Sequence, residues 1–399
     1  MTEKELLTSR GLERRLKRYL AGTDQTFLAI TTPGFEHVLE SEITQFPQTV
    51  SRKTITGGVE FSAPFEYLYD ANVNLRCANR LLLRIDTFTV RSYPELFNKM
   101  KRISWELYCG FSESFSLSVT SRNSRLHHTA NIENSTVDAI VQYMQNLGVK
   151  IDRAEHALIQ FFIRFSDDEC TVSIDTSGEL LYKRGYRIQT AHAPIRETLA
   201  ASLLMESQWQ KYQWIMDPFC GSGTFLIEAA LMVMNCAPGA HRSYAFQSWP
   251  SFSEAHLRRS IQTAKDRCVS NPAVIFRGSD ISAHAIDAAT ENARRAGVDS
   301  MVSFSVADCL NLDNNGSLSG QGLLISNLPY GKRVDIQEYS MENFLHQLAL
   351  HLKKHFRGAH FTFVSAYPGF KSAIGFPIVK IVPFSNGGIP VKAFCGMIK

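Results

Sequence analysis

The stretch SNLPYGKR, residues 326–333, follows the apolar run GLLI and carries residue types suited to one task. Asn327 has a side-chain oxygen that accepts a hydrogen bond, and the carbonyl of Leu328 can accept another. Tyr330 offers a flat ring for stacking. Leu328 precedes Pro329, which biases it to extended backbone and helps aim its carbonyl outward. These four residues could hold a planar base by its NH2 group. The plainer alternative is a Pro-Tyr-Gly turn that closes a strand. Lys332 and Arg333 flank the clamp and could meet phosphates, or be solvated charges.

The strongest signal lies upstream, in WIMDPFCGSGTFLIEAALMVM, residues 214–234. An apolar strand ends at Asp217, a turn follows through Pro218 and Cys220, and a long apolar helix starts near Thr224. Gly221 and Gly223 let backbone approach a ligand without a Cβ in the way. Open N–H groups at the helix start favour a polar or anionic ligand group. A phosphate loop would need Lys after Gly223, and none is there. A dinucleotide fingerprint would need a small residue where Leu226 stands. A loop for S-adenosylmethionine fits best, with Asp217 near the methionine amino group.

Two more strands end in acids. VIFRGSD ends at Asp280, followed by Ile281 and a helix, and an acid there can take a ribose diol. Asp280 or Ser282 could instead only cap that helix. VSFSVADCLNL brings Asp308 and Cys309 to the end of a third strand, where a carboxylate could meet an adenine amine or stand in a simple loop. GLLISN is then a fourth strand, with Asn327 at the same edge. In an open parallel sheet ligands sit at that edge. Methylating an exocyclic amine requires an NH2 held flat and in line with the sulfonium. No strong general base is needed, because polarising the N–H bonds raises nucleophilicity as the methyl moves. The long gap between Asp217 and Asp280 is filled by residues 236–270, which read as an insertion over the site.

These elements need a scaffold, and 399 residues suggest two or three domains with a sizeable core. A net charge of +4 says little unless the charge is clustered. The eight cysteines form no C-x-x-C pair, and none has a His at metal-ligand spacing. They read as free, mostly buried thiols of a reducing, cytoplasmic protein with no metal. No apolar run reaches the length of a membrane span. The charged N-terminus is not a signal peptide.

Residues 3–20 read as a basic amphipathic helix. Arg14, Arg15, Lys17 and Arg18 lie on its polar face, solvated or reaching for phosphate. Up to about residue 180 strands and helices alternate without a Gly-rich loop, as in one or two small α+β modules. Strands are expected at 26–31, 57–63, 80–90, 114–121 and on both sides of the acidic turn 167–169, with a helix at 133–148. LYKRGYRIQT is basic and aromatic, and Lys183, Arg184, Tyr186 and Arg187 are placed for RNA backbone contacts. From Pro194 onward the pattern is that of a parallel, doubly wound sheet.

DPFCGSGTFLIEAA, SDIS, ADCLNLD and NLPYGKR resemble motifs I to IV of class I RNA methyltransferases. LYKRGYR with APIRETLAASLL, and CAPG with FQSW, resemble the stretches around motif I in THUMP-domain methyltransferases. TTPGFEHVLESEI, GGVEF, NLRCANRLLLRI and STVDAIVQYM resemble ferredoxin-like and THUMP modules. The similarity runs along nearly the whole chain, and is strongest to bacterial large-subunit rRNA guanine-N2 methyltransferases with one methyltransferase domain. It implies an N-terminal helical extension (1–22), a ferredoxin-like module (23–70), a THUMP RNA-binding domain (71–174), a linker hairpin (175–193) and a Rossmann-like α/β methyltransferase domain (194–399) with a seven-stranded, mostly parallel sheet. It implies S-adenosylmethionine as cofactor, structured RNA, above all rRNA, as partner, and a monomer. Asp217, Gly221 and Gly223 would contact the methionine part, Asp280 the ribose, Asp308 the adenine, and Glu197 and Thr198 would line the cofactor side. Leu328 stands where the family usually has Pro. Transfer to adenine N6 or to a tRNA guanine, and a non-catalytic RNA-binding role with a vestigial cofactor site, are the rival readings.

Overall fold

The computed structural model describes residues 15, 16, 19, 24–110, 112, 114–187, 195–269, 273–314, 318–329 and 341–399. The basic helix expected at 3–20 lies almost wholly outside them. Of its cationic cluster, Arg15 is described, and it pairs with the buried Glu106 at 2.8 Å.

The first half contains β1 (Gln25–Ile30), α1 (Glu36–Thr44), β2 (Ser51–Ile55), β3 (Gly58–Ala63), α2 (Tyr67–Asn74) and β4 (Arg80–Thr89). It continues with α3 (Tyr93–Met100), α4 (Glu106–Cys109), β5 (Ser114–Arg122), α5 (Thr129–Asn146), β6 (Asp152–Arg153), β7 (Gln160–Ser166) and β8 (Glu169–Asp175). All eight strands form one sheet in the order β2-β3-β1-β4-β8-β7-β5-β6. The two expected modules are thus joined edge to edge, with β4 antiparallel to β8 from Leu82↔Asp175 to Thr89↔Glu169. The boundary expected at 70/71 falls within α2, which runs unbroken from Tyr67 to Asn74. β2 escaped the sequence reading because its five residues SRKTI are mostly exposed and show no apolar alternation. The acidic turn is a two-residue hairpin loop in which Asp167 and Asp168 have φ of 54° and 65°. Asp tolerates that left-handed backbone, and a right-twisted hairpin requires it. The expected linker hairpin is not formed by residues 176–187, which make turns and bends.

The second half runs α6 (Glu197–Glu206), β9 (Trp214–Asp217), α7 (Thr224–Val233), α8 (Glu254–Asp266), β10 (Ile275–Asp280), α9 (Ala283–Ala296), β11 (Val302–Val306) and β12 (Gly322–Asn327). It closes with α10 (Met341–His355), β13 (His360–Ser365), α11 (Phe370–Ile374), β14 (Ile378–Asn386) and β15 (Ile389–Met397). Seven strands lie in the order β11-β10-β9-β12-β13-β15-β14. β11 to β13 are parallel, and β15 is antiparallel to both of its neighbours. This is the expected class I methyltransferase sheet. Its order reverses at β9, and ligands collect outside strand ends at such a switch point.

The insertion is corrected. Residues 237–253 and α8 fold onto the first half: Gly239 N–H donates to Val73 O (2.9 Å), Ser253 N–H to the Tyr69 hydroxyl (2.9 Å) and Arg267 to Asn74 Oδ1 (2.7 Å). The Tyr244 hydroxyl donates to Gly239 O at 2.5 Å and lies 3.3 Å from Asn72 O. A single buried apolar cluster accordingly runs from Phe27 through Phe161 and Leu199 to Phe276. Among the described residues no helix is long and apolar enough to cross a membrane.

Candidate active site

Four strand ends meet at the switch point. Asp217 closes β9, Asp280 closes β10, Asp308 follows β11 and Asn327 closes β12. The loop after β9 is pinned from several sides. Cys220 N–H donates to Ser279 O (2.9 Å), Gly223 N–H to Cys220 O (2.8 Å) and Asn292 Nδ2 to Ser222 O (3.1 Å). Gly221 and Gly223 have φ of 51° and 81°, a region that favours glycine. A Cβ on Gly223 would lie 2.9 Å from the Phe304 ring, whereas one on Gly221 would meet nothing within 4 Å. Gly223 is therefore needed for packing, and Gly221 borders open space.

Asp217 is 2% exposed. Its Oδ1 accepts from the Ser326 hydroxyl at 2.6 Å and from Phe219 N–H at 3.1 Å. Burial, helped by the nearby Asp280 charge, pushes its carboxyl up to about 7 against those two hydrogen bonds. Glu197, at the start of α6, is also pushed up to about 7 by burial, although Arg187 beside it pulls the other way. Arg187 Nε lies 3.2 Å from Glu197 Oε1. Glu197 Oε2 is buried and has no hydrogen-bond partner among the described residues. Two buried carboxyls thus stand near the switch point, and one oxygen of Glu197 lacks a donor among the described residues.

Asp280 accepts from Gly221 N–H (3.0 Å) through Oδ2 and from Ser282 N–H (3.0 Å) through Oδ1. Its carboxylate holds the glycine loop through the Gly221 N–H. Ser282 itself caps α9, accepting from Ala285 N–H at 3.3 Å. Asp308 Oδ1 accepts from Leu310 N–H at 2.9 Å, and Ile281 is a large apolar residue 75% exposed at the rim. Pro218, Cys220 and Cys309 are buried. Burial drives the Cys220 thiol well up and the Cys309 thiol to about 12, so neither is a thiolate nucleophile. The hydroxyl of Thr198 donates to Asn79 Oδ1 across the module boundary at 2.6 Å. Thr224 Oγ1 accepts from Arg187 at 2.8 Å.

Asn327 Oδ1 is buried and has no hydrogen-bond partner among the described residues. Leu328 is 1% exposed and packs in the core with Trp214, Leu324 and Phe363. Its N–H donates to Val364 O at 3.0 Å, a bond that Pro at this position could not make. Leu at this position therefore prolongs the β12–β13 pairing and anchors the loop from below. Leu328→Pro is expected to lower stability by about 1–3 kcal/mol through the lost bond and packing, measured by urea unfolding. Tyr330, Lys332 and Arg333 lie outside the described residues.

Three of the expected RNA contacts are corrected. Arg184 is 7% exposed, donates to Leu181 O (2.7 Å) and Arg76 O (2.6 Å), and stands 3.7 Å from Glu228 on α7. Arg187 is occupied by Glu197, Thr224 and Ile195 O. Tyr186 is buried and donates to Glu228 at 3.0 Å. These side chains stitch the linker to the cofactor-side helices, so their charge does not reach the surface. Lys183 is exposed and pairs with Glu179, four residues earlier. The sequence reading missed Ser326, Glu228 and Asn292. Ser326 had one signal: it sits next to Asn327 on a strand, so the two point to opposite faces.

Comparison with known proteins agrees with this geometry. Residues 26–82 match the RlmL ferredoxin-like domain and residues 90–175 the THUMP domain. A ribosomal RNA large subunit methyltransferase K/L of Shewanella frigidimarina is 35% identical over 345 residues, 83% of this chain and 47% of that protein. The chain spans about half the length of the curated relatives it matches. Among solved structures, SMU.472, described as a methyltransferase and solved with SAH, has a TM-score of 0.84 at 27% identity, over 94% of this chain and 99% of that one. A predicted N6-adenine-specific DNA methylase of Listeria monocytogenes has a TM-score of 0.85 at 26% identity, over 96% and 98%. Residues 184–392, more than half of the chain and the part that holds every strand end described above, match the RMKL-like methyltransferase domain, and the protein belongs to that family.

Proposed function

We propose that this protein transfers a methyl group from S-adenosylmethionine to the exocyclic N2 amine of a guanine in structured RNA, with large-subunit ribosomal RNA as the substrate. The observation that carries the reading is the buried Oδ1 of Asn327 at the end of β12, which has no hydrogen-bond partner among the described residues. A buried acceptor without a donor is a costly feature that a donor from the substrate would relieve.

The residues around β9 fit the cofactor. Its positive sulfonium and ammonium suit the buried carboxyls of Asp217 and Glu197, and the open space above Gly221 leaves room for it. Asp280 retains lone pairs for ribose hydroxyls, and the exposed Ile281 offers an apolar surface to the adenine, with Asp308 at its edge. When bound, the cofactor supplies an electrophilic methyl on sulfur. Asn327 Oδ1 takes one N–H of the amine and the Leu328 carbonyl the other, which keeps the NH2 planar and enriches its lone pair. Pro329 holds the carbonyl in place, and Tyr330 stacks on the base. The target base leaves its helix to reach this rim. The eight-stranded N-terminal sheet, with its THUMP match, delivers the RNA. Lys183, Lys332 and Arg333 add phosphate contacts.

Adenine N6 presents the same NH2, and the Listeria methylase carries that name. Nucleoside mass spectrometry of RNA treated with the protein and cofactor separates the two. N2-methylguanosine is the expected product; N6-methyladenosine would reassign the base, and no methylated nucleoside would leave an RNA-binding role.

A further inference from the structure

Cys236 and Cys268 stand at the two ends of the insertion, 32 positions apart, with their sulfurs 2.8 Å from one another. That is nearer than two unbonded sulfurs normally sit and longer than the ~2.05 Å of a bond. The backbone around them is already held side by side. Val269 N–H donates to Met234 O at 2.8 Å, and Asn235 Nδ2 to Arg267 O at 3.3 Å. Cys236 N–H donates to Leu231 O at 2.9 Å, and Cys268 N–H to Lys265 O at 3.0 Å, so each cysteine is fixed to the end of its own helix. Asn235 reaches this arrangement through a left-handed φ of 56°. Joining the sulfurs asks them to approach by less than about 1 Å.

We propose that Cys236 and Cys268 form a reversible disulfide that staples the base of the insertion and stiffens its grip on the N-terminal sheet. The grip is the set of contacts from Gly239, Tyr244, Ser253 and Arg267 to α2 and its approaches. Arg76, at the far end of α2, also donates to Cys236 O at 2.7 Å, so the staple lies on the module boundary itself. Formation needs a two-electron oxidant such as a peroxide. The Cys268 sulfur attacks a peroxide oxygen, the O–O bond breaks, one water leaves and a sulfenic acid remains. The Cys236 sulfur then attacks Cys268 Sγ, the S–S bond forms, the S–O bond breaks and a second water leaves. Exposure assigns the first attack: Cys268 is exposed and Cys236 half-buried. Burial and the neighbouring Cys268 thiol push the Cys236 thiol up to about 12, which counts against Cys236 as the first to attack the peroxide. The other cysteines are not competitors. Cys77, Cys109, Cys170, Cys220 and Cys309 are buried, and Cys395 is half-buried against the Thr362 hydroxyl.

The inference does not depend on the proposed reaction and is tested on the full chain without RNA or cofactor. The native protein is treated with hydrogen peroxide, quenched and mapped by mass spectrometry without reduction. Loss of two of the eight thiols, in one cross-link joining the Cys236 and Cys268 peptides and removed by dithiothreitol, is expected. The oxidised form should melt a few degrees higher, because the link closes a long loop of the unfolded chain. It should also resist proteolysis at Arg242 and Arg258, inside the stapled segment. Cys268→Ser should abolish the link and both effects. Cys236→Ser should leave Cys268 as a sulfenic acid that dimedone traps. Retention of all eight thiols, a link between other cysteines, or a link without a change in melting or proteolysis would overturn the proposal.

Discussion

Asn327→Ala is expected to reduce methyl transfer by about 10²–10³-fold, the usual loss when one oriented polar contact to the reacting group is removed. Cofactor affinity should change little, because Asp217, Glu197 and the glycine loop are untouched. Stability should also hold. The Oδ1 atom of Asn327 has no partner among the described residues, so its removal breaks no bond to any of them and relieves a buried acceptor. That combination distinguishes a substrate clamp from a structural turn, in which the substitution would act on unfolding and leave turnover per folded molecule intact. Asn327→Asp keeps an acceptor oxygen in the same place and should recover part of the rate. Single-turnover kinetics with calorimetric cofactor titration makes the comparison. Full transfer by the Ala variant would remove Asn327 from the mechanism.

Cofactor affinity should rise with pH through about 7, because Asp217 must be ionised to meet a cation and burial has pushed its carboxyl up to about 7. Asp217→Asn should weaken binding by about 10²-fold, the scale of losing one partner of a buried charge pair, and should remove most of the pH dependence. The free protein carries the opposite slope. A carboxyl raised on folding binds more protons in the native than in the unfolded state. Its stabilising contribution is full below the unfolded value near ~3.9 and is lost as pH rises through the folded value. Glu197, also raised to about 7 mainly by burial, adds to the same window. Urea unfolding of the free protein should therefore show lower stability above this window than below it, with a shallower slope in Asp217→Asn. Saturating cofactor should flatten or reverse the trend. An affinity constant across this range would mean that Asp217 does not face the cation.

Much of the second half was legible in one dimension. β9, β10, β11 and β12 each bring a candidate residue to the carboxyl end or just beyond it, and the glycine turn after β9 leads into a helix, so Asp217, Asp280, Asp308 and Asn327 follow from local pattern alone. The unread parts share a cause: they depend on partners far along the chain. β2 has no apolar alternation, and it exists because β3 supplies the backbone bonds. Lys183, Arg184 and Arg187 look alike as basic residues beside aromatics. Glu228 and Glu197, about 44 and 10 residues further on, draw two of them inward, while the third stays out. The insertion resembled a lid because its length interrupts the motif order, and only its contacts with Tyr69, Asn72 and Val73 reveal a clamp between modules.

The same division holds within SNLPYGKR. Residue types alone determine that Asn327 and the following carbonyl can grip an NH2, since acceptor chemistry belongs to the residue. Packing decides what Leu328 is for. The register that sets Asn327 beside Val364 lets the Leu328 N–H bond to Val364 O and sinks its side chain beside Trp214. Packing likewise decides that Ser326, one position earlier, faces the other way and holds Asp217. A strand dictates alternation, but which strand lies beside it, and hence what each face meets, is set by burial of apolar surface across the whole sheet.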